Sequence, residues 1–160
     1  MEIRHAAMTD LDEIMVLYEA ARAFMREHGN PTQWVNGYPG RELIAGEIEQ
    51  GHSFVCADQE KLLAVFSLIR GDDPTYREIY EGAWLNEEPY GVIHRLCAGQ
   101  HSVGAATACI NWCFQQCGNL RIDTHQDNIP MQRLLKKCGF VPCGRIVLAD
   151  GTDRIAFQKC

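Results

Sequence analysis

The fold is decided by the stretch Gly91-Val92-Ile93-His94-Arg95-Leu96-Cys97-Ala98, which continues through the polar loop Gly99-Gln100-His101-Ser102 into Val103-Gly104-Ala105-Ala106-Thr107-Ala108-Cys109. The first segment is an apolar run of strand length, and the last is rich in small residues that let a helix pack closely on a sheet. Such a turn leaves backbone N–H groups free at the helix N-terminus, where they and the helix dipole favour a phosphate. The stretch therefore predicts a phosphate-binding turn between a strand and a helix.

A second strand and helix follow at once. Leu120-Arg121-Ile122-Asp123-Thr124-His125 has strand character, and a helix begins near Asn128 and ends at Cys138-Gly139-Phe140. Apolar periodicity predicts further helices at residues 11–28 and 41–50, and further strands at 1–7, 52–57, 61–70, 144–148 and 154–158. Residues 76–88 are predicted as an amphipathic turn or a helix fragment. This order indicates an α/β fold of mixed (α+β) type, a twisted mixed sheet with helices on both faces.

Composition narrows the class of protein. The chain has 160 residues, 46% of them hydrophobic and 22% charged, which predicts a single globular domain over residues 1–160. A formal net charge of −6 argues against nucleic acid as a partner. No apolar run is long enough to span a membrane, and the start, Met1-Glu2-Ile3-Arg4-His5, lacks the pattern of a secretory signal. We therefore expect a cytoplasmic protein.

The eight cysteines suggest either a disulfide framework or a metal site. Their spacings favour neither, because no Cys-x-x-Cys pair occurs and Cys109, Cys113 and Cys117 recur at helical spacing on one face. We expect reduced thiols that pack as small apolar groups, and no bound metal. A metal-binding cysteine/histidine protein is the alternative, which stoichiometric zinc in protein purified under reducing conditions would favour.

The loop motif itself is His101-Ser102-Val103-Gly104-Ala105-Ala106, of the form basic-x-x-Gly-x-small. It lacks the Gly-Lys-Ser/Thr of a P-loop and the three glycines of a dinucleotide fingerprint. With its strand before and its helix after, the chain resembles the GNAT N-acetyltransferase superfamily over essentially its whole length. The family's Arg/Gln-x-x-Gly-x-Gly/Ala loop corresponds to His101, Gly104 and Ala106, with a histidine in place of Arg or Gln.

This resemblance implies a binding site for acetyl-CoA, used as a co-substrate. The family's strand end lies beside the pantetheine, its loop binds the pyrophosphate, and an Asn opens a helix that ends in Gly-Phe. Asn128 to Phe140 match that last pattern, so Asn128 is expected to touch the pantetheine or the path of the leaving thiol. The residues that the resemblance assigns to acetyl-CoA are Leu96, Cys97, Ala98, His101, Ser102, Val103, Gly104, Ala105, Ala106, Asn128 and Gln132.

An acceptor amine must lose a proton before it can attack a thioester. His125 is the first candidate base, because it lies at the carboxyl end of its strand, where open α/β sheets bind ligands. Glu81 is the second candidate. Strand alternation places Arg121 and Asp123 on the same face as His125, and His94 on the opposite face from Arg95.

The acid that protonates the leaving thiolate is the other catalytic question. The family often places a tyrosine in its last helix, and the matching residue here is Leu135. A thiolate with a pKa near ~8.5 is a tolerable leaving group without an acid. Tyr76, Tyr80 and Tyr90 precede the central strand and could supply the proton, and no sequence feature chooses among them. Tyr80 completes the set of catalytic candidates with His125 and Glu81.

The acceptor pocket is expected to contain Trp34, Tyr38 and Trp84, although isolated aromatic residues more often pack in a core. The resulting hypothesis is an N-acetyltransferase that moves an acetyl group from acetyl-CoA to a primary amine of a small molecule or peptide, by direct attack in a ternary complex. A non-catalytic acyl-CoA-binding or sensing module on the same fold is the alternative, favoured by Leu135. The sequence leaves the oligomeric state open, although the last strand pair could form a homodimer through its edge.

Overall fold

The computed structural model describes all residues from Met1 to Cys160 and contains one seven-stranded mixed sheet. The order of strands in the sheet is β1-β2-β3-β4-β5-β7-β6, and only β4 and β5 pair in parallel. The strands are β1 (Glu2–His5), β2 (Ser53–Asp58), β3 (Lys61–Arg70), β4 (Gly91–Ala98), β5 (Leu120–Thr124), β6 (Val141–Val147) and β7 (Asp153–Lys159). The helices are α1 (Leu11–Glu27), α2 (Arg41–Glu49), α3 (Ala105–Cys117) and α4 (Ile129–Lys137).

Helices cover both faces of the sheet, as the sequence predicts. On one face, Ile14 and Tyr18 of α1 and Ile44 of α2 pack against Val55 and Val65. The opposite face holds the larger core, whose helical members from α3 and α4 are Ala105, Cys109, Ile110, Cys113 and Leu135. Because each helix buries an apolar stripe against the sheet, the polar loops at the strand ends remain available for a binding site.

Three segments differ from their predicted form. Strand β1 covers Glu2–His5 and not the whole of residues 1–7. Strand β6 begins at Val141, three residues before its predicted start, and its pairing with β7 is irregular between Pro142 and Gly144. Residues 77–88 contain bends and no helix, so the helix fragment, one of the two forms predicted for residues 76–88, is absent beyond the short 3-10 segment Pro74–Tyr76. Tertiary contacts shape this segment instead: the indole N–H of Trp84 donates to the carbonyl oxygen of Tyr76 at 2.9 Å.

Strands β4 and β5 separate soon after they meet. They pair only at Gly91↔Leu120 and Val92↔Arg121. A side chain at Gly91 would meet the sulfur of Cys117 at 2.7 Å, so glycine lets α3 pack closely where the two strands join. Beyond Val92, the edge of β4 that faces β5 has no strand partner, which leaves a gap in the middle of the sheet.

All eight cysteines are free thiols. Burial raises the pKa of Cys97 to about 12, so this thiol stays protonated near neutral pH. No group of three or more His, Cys, Asp or Glu side chains is placed to hold a metal ion. No helix combines the length and the apolar character needed to cross a membrane. Strands β1 and β6 are the sheet edges, and dimerisation through β6 stays a prediction.

Candidate active site

A cleft of about 530 Å³ lies where β4 and β5 separate. Its walls combine apolar and polar side chains from both strands, from the loop between α1 and α2, from the start of α4 and from the β6–β7 turn. The residues that line it are Met25, Gln33, Trp34, Val35, Tyr38, Thr75, Ile93, His94, Arg95, Leu96, Ile122, Asp123, Thr124, Asn128, Met131, Leu148, Ala149, Asp150 and Arg154. This mixture suits a small molecule that has both apolar and polar parts.

A β-bulge in β4 shapes one wall of the cleft. Register with β3 shifts between Val65↔Cys97 and Ser67↔His94, and Arg95 adopts a left-handed conformation with φ 53°. The buried hydroxyl of Tyr18 donates to the carbonyl oxygen of Arg95 at 2.9 Å. The bulge interrupts strand alternation, so His94 and Arg95 line the same cleft and the expectation that they face opposite sides is wrong.

The side chain of Arg95 is itself held in place. It forms an ion pair with Glu47 of α2, and both side chains are at most 10% exposed. A second guanidinium nitrogen donates to the hydroxyl of Tyr38 at 2.9 Å. The bulge, α2 and the aromatic wall of the cleft are therefore tied together by hydrogen bonds to a charged group, which are stronger than neutral ones.

The loop after β4 presents unused backbone donors. The N–H groups that donate to no atom of the chain are those of Gln100, His101, Val103, Gly104, Ala106 and Thr107. Gly104 has φ 80°, a left-handed conformation that favours glycine, and a Cβ built there would meet no atom within 4 Å. Val103 is 93% exposed despite being apolar. Free donors, open space and the N-terminus of α3 are the features that suit an anion.

Helix α4 begins at a second polar residue of the site. Asn128 is buried and caps the helix, because its side-chain oxygen accepts from the N–H of Met131 at 3.1 Å. Its amide nitrogen donates to the side chain of Gln33 at 2.9 Å, which ties α4 to the loop after α1. The side-chain amide nitrogen of Gln132 donates to the carbonyl oxygens of Gln126 and His125. Asn128 faces the cleft, whereas the contacts of Gln132 order the turn before α4.

Two titratable pairs lie beside the cleft. His94 Nε2 is 3.3 Å from Asp73 Oδ2, and the hydroxyl of Tyr76 donates to Asp123 Oδ2 at 2.6 Å. Burial disfavours the charged form of Asp73, but hydrogen bonds from His94 and Thr75 outweigh burial and lower its pKa to about 2. Burial raises the pKa of Asp123, and the hydrogen bond from Tyr76 opposes that shift only in part. The cleft thus combines a firmly ionised carboxylate behind a histidine with a second, less readily ionised carboxyl.

Comparison with known proteins identifies the family. A GNAT-family acetyltransferase from Streptococcus agalactiae 2603, known from its crystal structure, is 33% identical, and the match covers 99% of this chain and 94% of that one with a TM-score of 0.88. The chain belongs to the GNAT acetyltransferase family. It is therefore an acyltransferase enzyme, and the predicted fold class and superfamily are confirmed.

Two further relatives agree with this assignment. A protein of Staphylococcus aureus Mu50, known from its crystal structure, is 26% identical to this GNAT chain. The match covers 99% of this chain and 98% of that one, with a TM-score of 0.73. Uncharacterized N-acetyltransferase YesJ of Bacillus subtilis (strain 168) is 24% identical over 163 residues, which span 96% of this chain and 87% of that protein. No family model matches the sequence.

GNAT acetyltransferases use acetyl-CoA, and the site fits that molecule on two observations. The unused N–H groups around Gly104 match the acceptor oxygens of a pyrophosphate, and the open space above Gly104 leaves the backbone accessible. The unpaired edge of β4 beyond Val92 offers backbone donors and acceptors to an extended amide-bearing chain such as pantetheine. Of the residues predicted for the strand end, Leu96 lines the cleft, whereas Cys97 is buried under α1.

The predicted catalytic residues do not gather at the cleft. Nδ1 of His125 accepts from the backbone N–H of Asp127 at 3.0 Å, and its Nε2 lies 3.1 Å from the hydroxyl oxygen of Thr32. Tyr80 pairs with Arg145 of β6 through the backbone, and Glu81 lies 3.5 Å from the side chain of the same arginine. The roles assigned to His125, Glu81 and Tyr80 stay predictions.

The predicted acceptor aromatics divide in the same way. Trp34 and Tyr38 line the cleft with ring centroids 6.4 Å apart. Trp84 does not line the cleft and packs against the guanidinium of Arg121 at 4.2 Å. Leu135, at the position where the family often has a tyrosine, is fully buried in the core.

Sequence reasoning missed Asp73, Asp150 and Arg154 as cleft or cleft-supporting residues. The single signal for Asp73 was its place after β3 in an acidic turn, Asp72-Asp73-Pro74, which resembles any polar loop. Arg154 lies on β7, and only the pairing of β7 between β5 and β6 brings it to the cleft. That pairing order is not visible in local periodicity.

Proposed function

We propose that this enzyme transfers an acetyl group from acetyl-CoA to a primary amine of a small molecule or peptide, by direct attack while both substrates are bound. One observation carries the proposal. Strand β4 leads from the polar cleft at His94 into the loop of unused N–H groups at Gly104, so one strand links the cleft to a loop whose donors suit an anion. In this proposal residues 1–160 act as one domain.

The pyrophosphate of acetyl-CoA is proposed to lie against the loop from His101 to Ala106. Its N–H groups donate, and exposed His101 contributes a side chain that is charged only when protonated. When bound, acetyl-CoA supplies an activated acyl thioester. The β4 edge around Leu96 to Ala98 would align it, and backbone N–H groups there would stabilise charge that develops on the carbonyl oxygen.

His94 is the base that the geometry favours. Because a carboxylate only accepts hydrogen bonds, the contact of Nε2 with Asp73 places the proton of neutral His94 on Nε2. Its Nδ1 has no hydrogen-bond partner in the chain and keeps a free lone pair. The imidazole can therefore take a proton from the acceptor ammonium at Nδ1, and the Asp73 carboxylate stabilises the cation that forms.

Direct transfer is supported by the state of the thiols. No cysteine lines the cleft, and Cys97, the cysteine of β4, has its pKa raised to about 12 by burial. A protonated, buried thiol is a poor nucleophile, so no acyl-cysteine step is required. The buried Leu135 supplies no proton to the leaving thiolate, which departs unassisted from that position. Placing both substrates in one cleft supplies the main rate gain, up to about 7–11 kcal/mol.

A kinetic experiment tests the proposal. The purified chain is incubated with acetyl-CoA and a panel of primary amines. A colorimetric assay measures the free thiol that is released, and mass spectrometry identifies the product. We expect thiol release only with an amine present, one acetyl group on the amine per thiol released, and intersecting double-reciprocal plots. Acetyl-CoA binding without thiol release for any amine would instead support the acyl-CoA-sensing module, and parallel plots would indicate a covalent acyl-enzyme.

A further inference from the structure

Arg154 is an unusual cation. It is only 7% exposed, it lines the cleft, and no carboxylate oxygen lies within 4.0 Å of its guanidinium nitrogens. Its contacts are to neutral oxygens: the hydroxyl of Thr152 at 3.3 Å, the carbonyl of Asp153 at 2.8 Å and the carbonyl of Gln33 at 3.5 Å. A guanidinium has five N–H donors. Arg154 therefore holds a buried positive charge that no counter-ion of the chain contacts.

Sheet register places Arg154 in line with the titratable groups of the cleft. Asp123 of β5 pairs with Ala156 of β7, so Arg154, two residues before Ala156, lies on the same face as Asp123. Val92 pairs with Arg121, and His94 and Asp123 each lie two residues further along their strands. One face of the sheet therefore presents His94, Asp123 and Arg154 on three successive strands.

The two carboxylates that line the cleft with Arg154 have other partners. Asp123 accepts from the hydroxyl of Tyr76, and Asp150 accepts from the backbone N–H of Thr152 at 2.9 Å. Neither carboxylate forms an ion pair with Arg154. Burying a charge without a partner is costly, and a ligand anion that pairs with the guanidinium removes that cost.

We propose that the acceptor carries a carboxylate close to its primary amine, as an amino acid does, and that Arg154 binds this carboxylate. The inference rests on the proposed acetyl transfer and names its substrate class. In this arrangement the amine lies toward His94 and Asp123, and the carboxylate lies at the other end of the row. The planar guanidinium matches a carboxylate in two-point geometry, which a lysine in its place does not reproduce.

A purely structural role for Arg154 is the competing explanation. Its bonds to Gln33, Thr152 and Asp153 join the β6–β7 turn to the loop after α1. A structural role predicts that loss of Arg154 weakens every acceptor alike. Carboxylate binding predicts that only acceptors with a carboxylate lose activity, so paired substrates separate the two explanations.

The experiment compares amino acids with their decarboxylated amines: L-tryptophan with tryptamine, L-methionine with 3-methylthiopropylamine, and glycine with methylamine. We expect at least one amino acid to exceed its partner amine in kcat/KM by about 10–100-fold, the range of a charge-assisted contact. In Arg154→Gln that ratio falls to near one, because the KM of the amino acid rises. Arg154→Lys recovers the ratio only in part.

Arg145→Gln is the matched control, because Arg145 lies on the same hairpin but pairs with Glu81 and Asp153 outside the cleft. It should leave the ratio unchanged. Calorimetry of the same amino acids against the CoA-saturated enzyme reports binding without turnover. Two results would overturn the role of Arg154 while leaving acetyl transfer intact. In the first, the decarboxylated amines bind and the amino acids do not. In the second, the ratio of kcat/KM between amino acid and amine is near one in the unmodified enzyme. Absence of thiol release with every amine, together with tight amino-acid binding, would overturn the proposed function alone.

Discussion

Arg95 shows how one backbone conformation organises the site. A non-glycine residue with positive φ is uncommon and persists only when its surroundings hold it. Tyr18 holds the carbonyl oxygen of Arg95, while Glu47 and Tyr38 hold its guanidinium. Because these contacts come from α1, α2 and their connecting loop, the bulge that turns His94 and Arg95 to the same cleft depends on residues distant in sequence.

Replacing Tyr18 by Phe tests this dependence. The Arg95 carbonyl would lose its donor inside the protein, which should cost about 1–2 kcal/mol of unfolding free energy and lower the melting temperature by about 2–8 °C. Thermal denaturation measures the change. Tyr80→Phe is the control, since the Tyr80 hydroxyl is exposed and bonds only to Glu78. Equal melting temperatures for Tyr18→Phe and the unmodified chain would show that the bulge is stable without this bond.

The two histidines near the cleft give opposite expectations. His94→Gln removes the free Nδ1 lone pair and should lower kcat by about 10²–10⁴-fold. His125→Ala should lower kcat far less, because both nitrogens of His125 already have partners in Asp127 and Thr32. Measured kcat values for both variants decide between them, and a larger loss in His125→Ala would return the role of base to His125.

At the scale of elements, local sequence predicts more of the scaffold than of the site. Strands β3 and β4 have the predicted bounds, because apolar runs that a sheet buries are visible in the sequence itself. The loop before α3 is also predicted from local sequence, because Gly104 and the small residues around it are contiguous. The bulge at Arg95 and the cleft position of Arg154 were not predicted, because each depends on which distant strand or helix lies alongside.

The loop before α3 gives a prediction with a control on the same helix. Gly104 and Gly118 flank α3, both with positive φ, at 80° and 69°. Alanine at either position should destabilise the chain by about 1 kcal/mol through the same backbone strain. Only Gly104→Ala should also weaken CoA binding, since it changes the loop of unused N–H groups.

Calorimetric titration with CoA, alongside thermal denaturation of both variants, separates strain from binding. Equal affinity for CoA in the two variants would mean that the pyrophosphate does not contact this loop. A weaker affinity in both would point to a general effect of α3 on the fold.

At the scale of the whole molecule, the cleft exists because β4 and β5 lack the hydrogen bonds that would join them along their length. An undivided sheet would pair β4 and β5 along their length, but they pair at two positions and then separate. On its other side β5 pairs with β7 along its whole length. The larger core contains residues of both β4 and β5, so it continues across the gap. The gap is thus supported by its flanks, and polar groups such as Asp123 can lie within it.

Asp123 is therefore expected to reduce stability in return for function. Burial raises the pKa of its carboxyl in the folded state, so the folded chain binds this proton more tightly than the unfolded chain. Its contribution to stability falls as pH rises from the unfolded pKa, about 3.9, through the raised folded value, and the loss is complete above it.

Asp123→Asn removes the charge and keeps an acceptor for the hydroxyl of Tyr76. The variant should melt at a higher temperature than the unmodified chain at neutral pH, and this advantage should shrink as pH falls toward the unfolded pKa. Thermal denaturation across pH measures the gain, and kcat/KM with the best acceptor should fall in the same variant because an ammonium loses its anionic neighbour. A variant that melts lower at neutral pH would show that the ionised carboxylate stabilises the sheet, and that the gap depends on Asp123 rather than tolerating it.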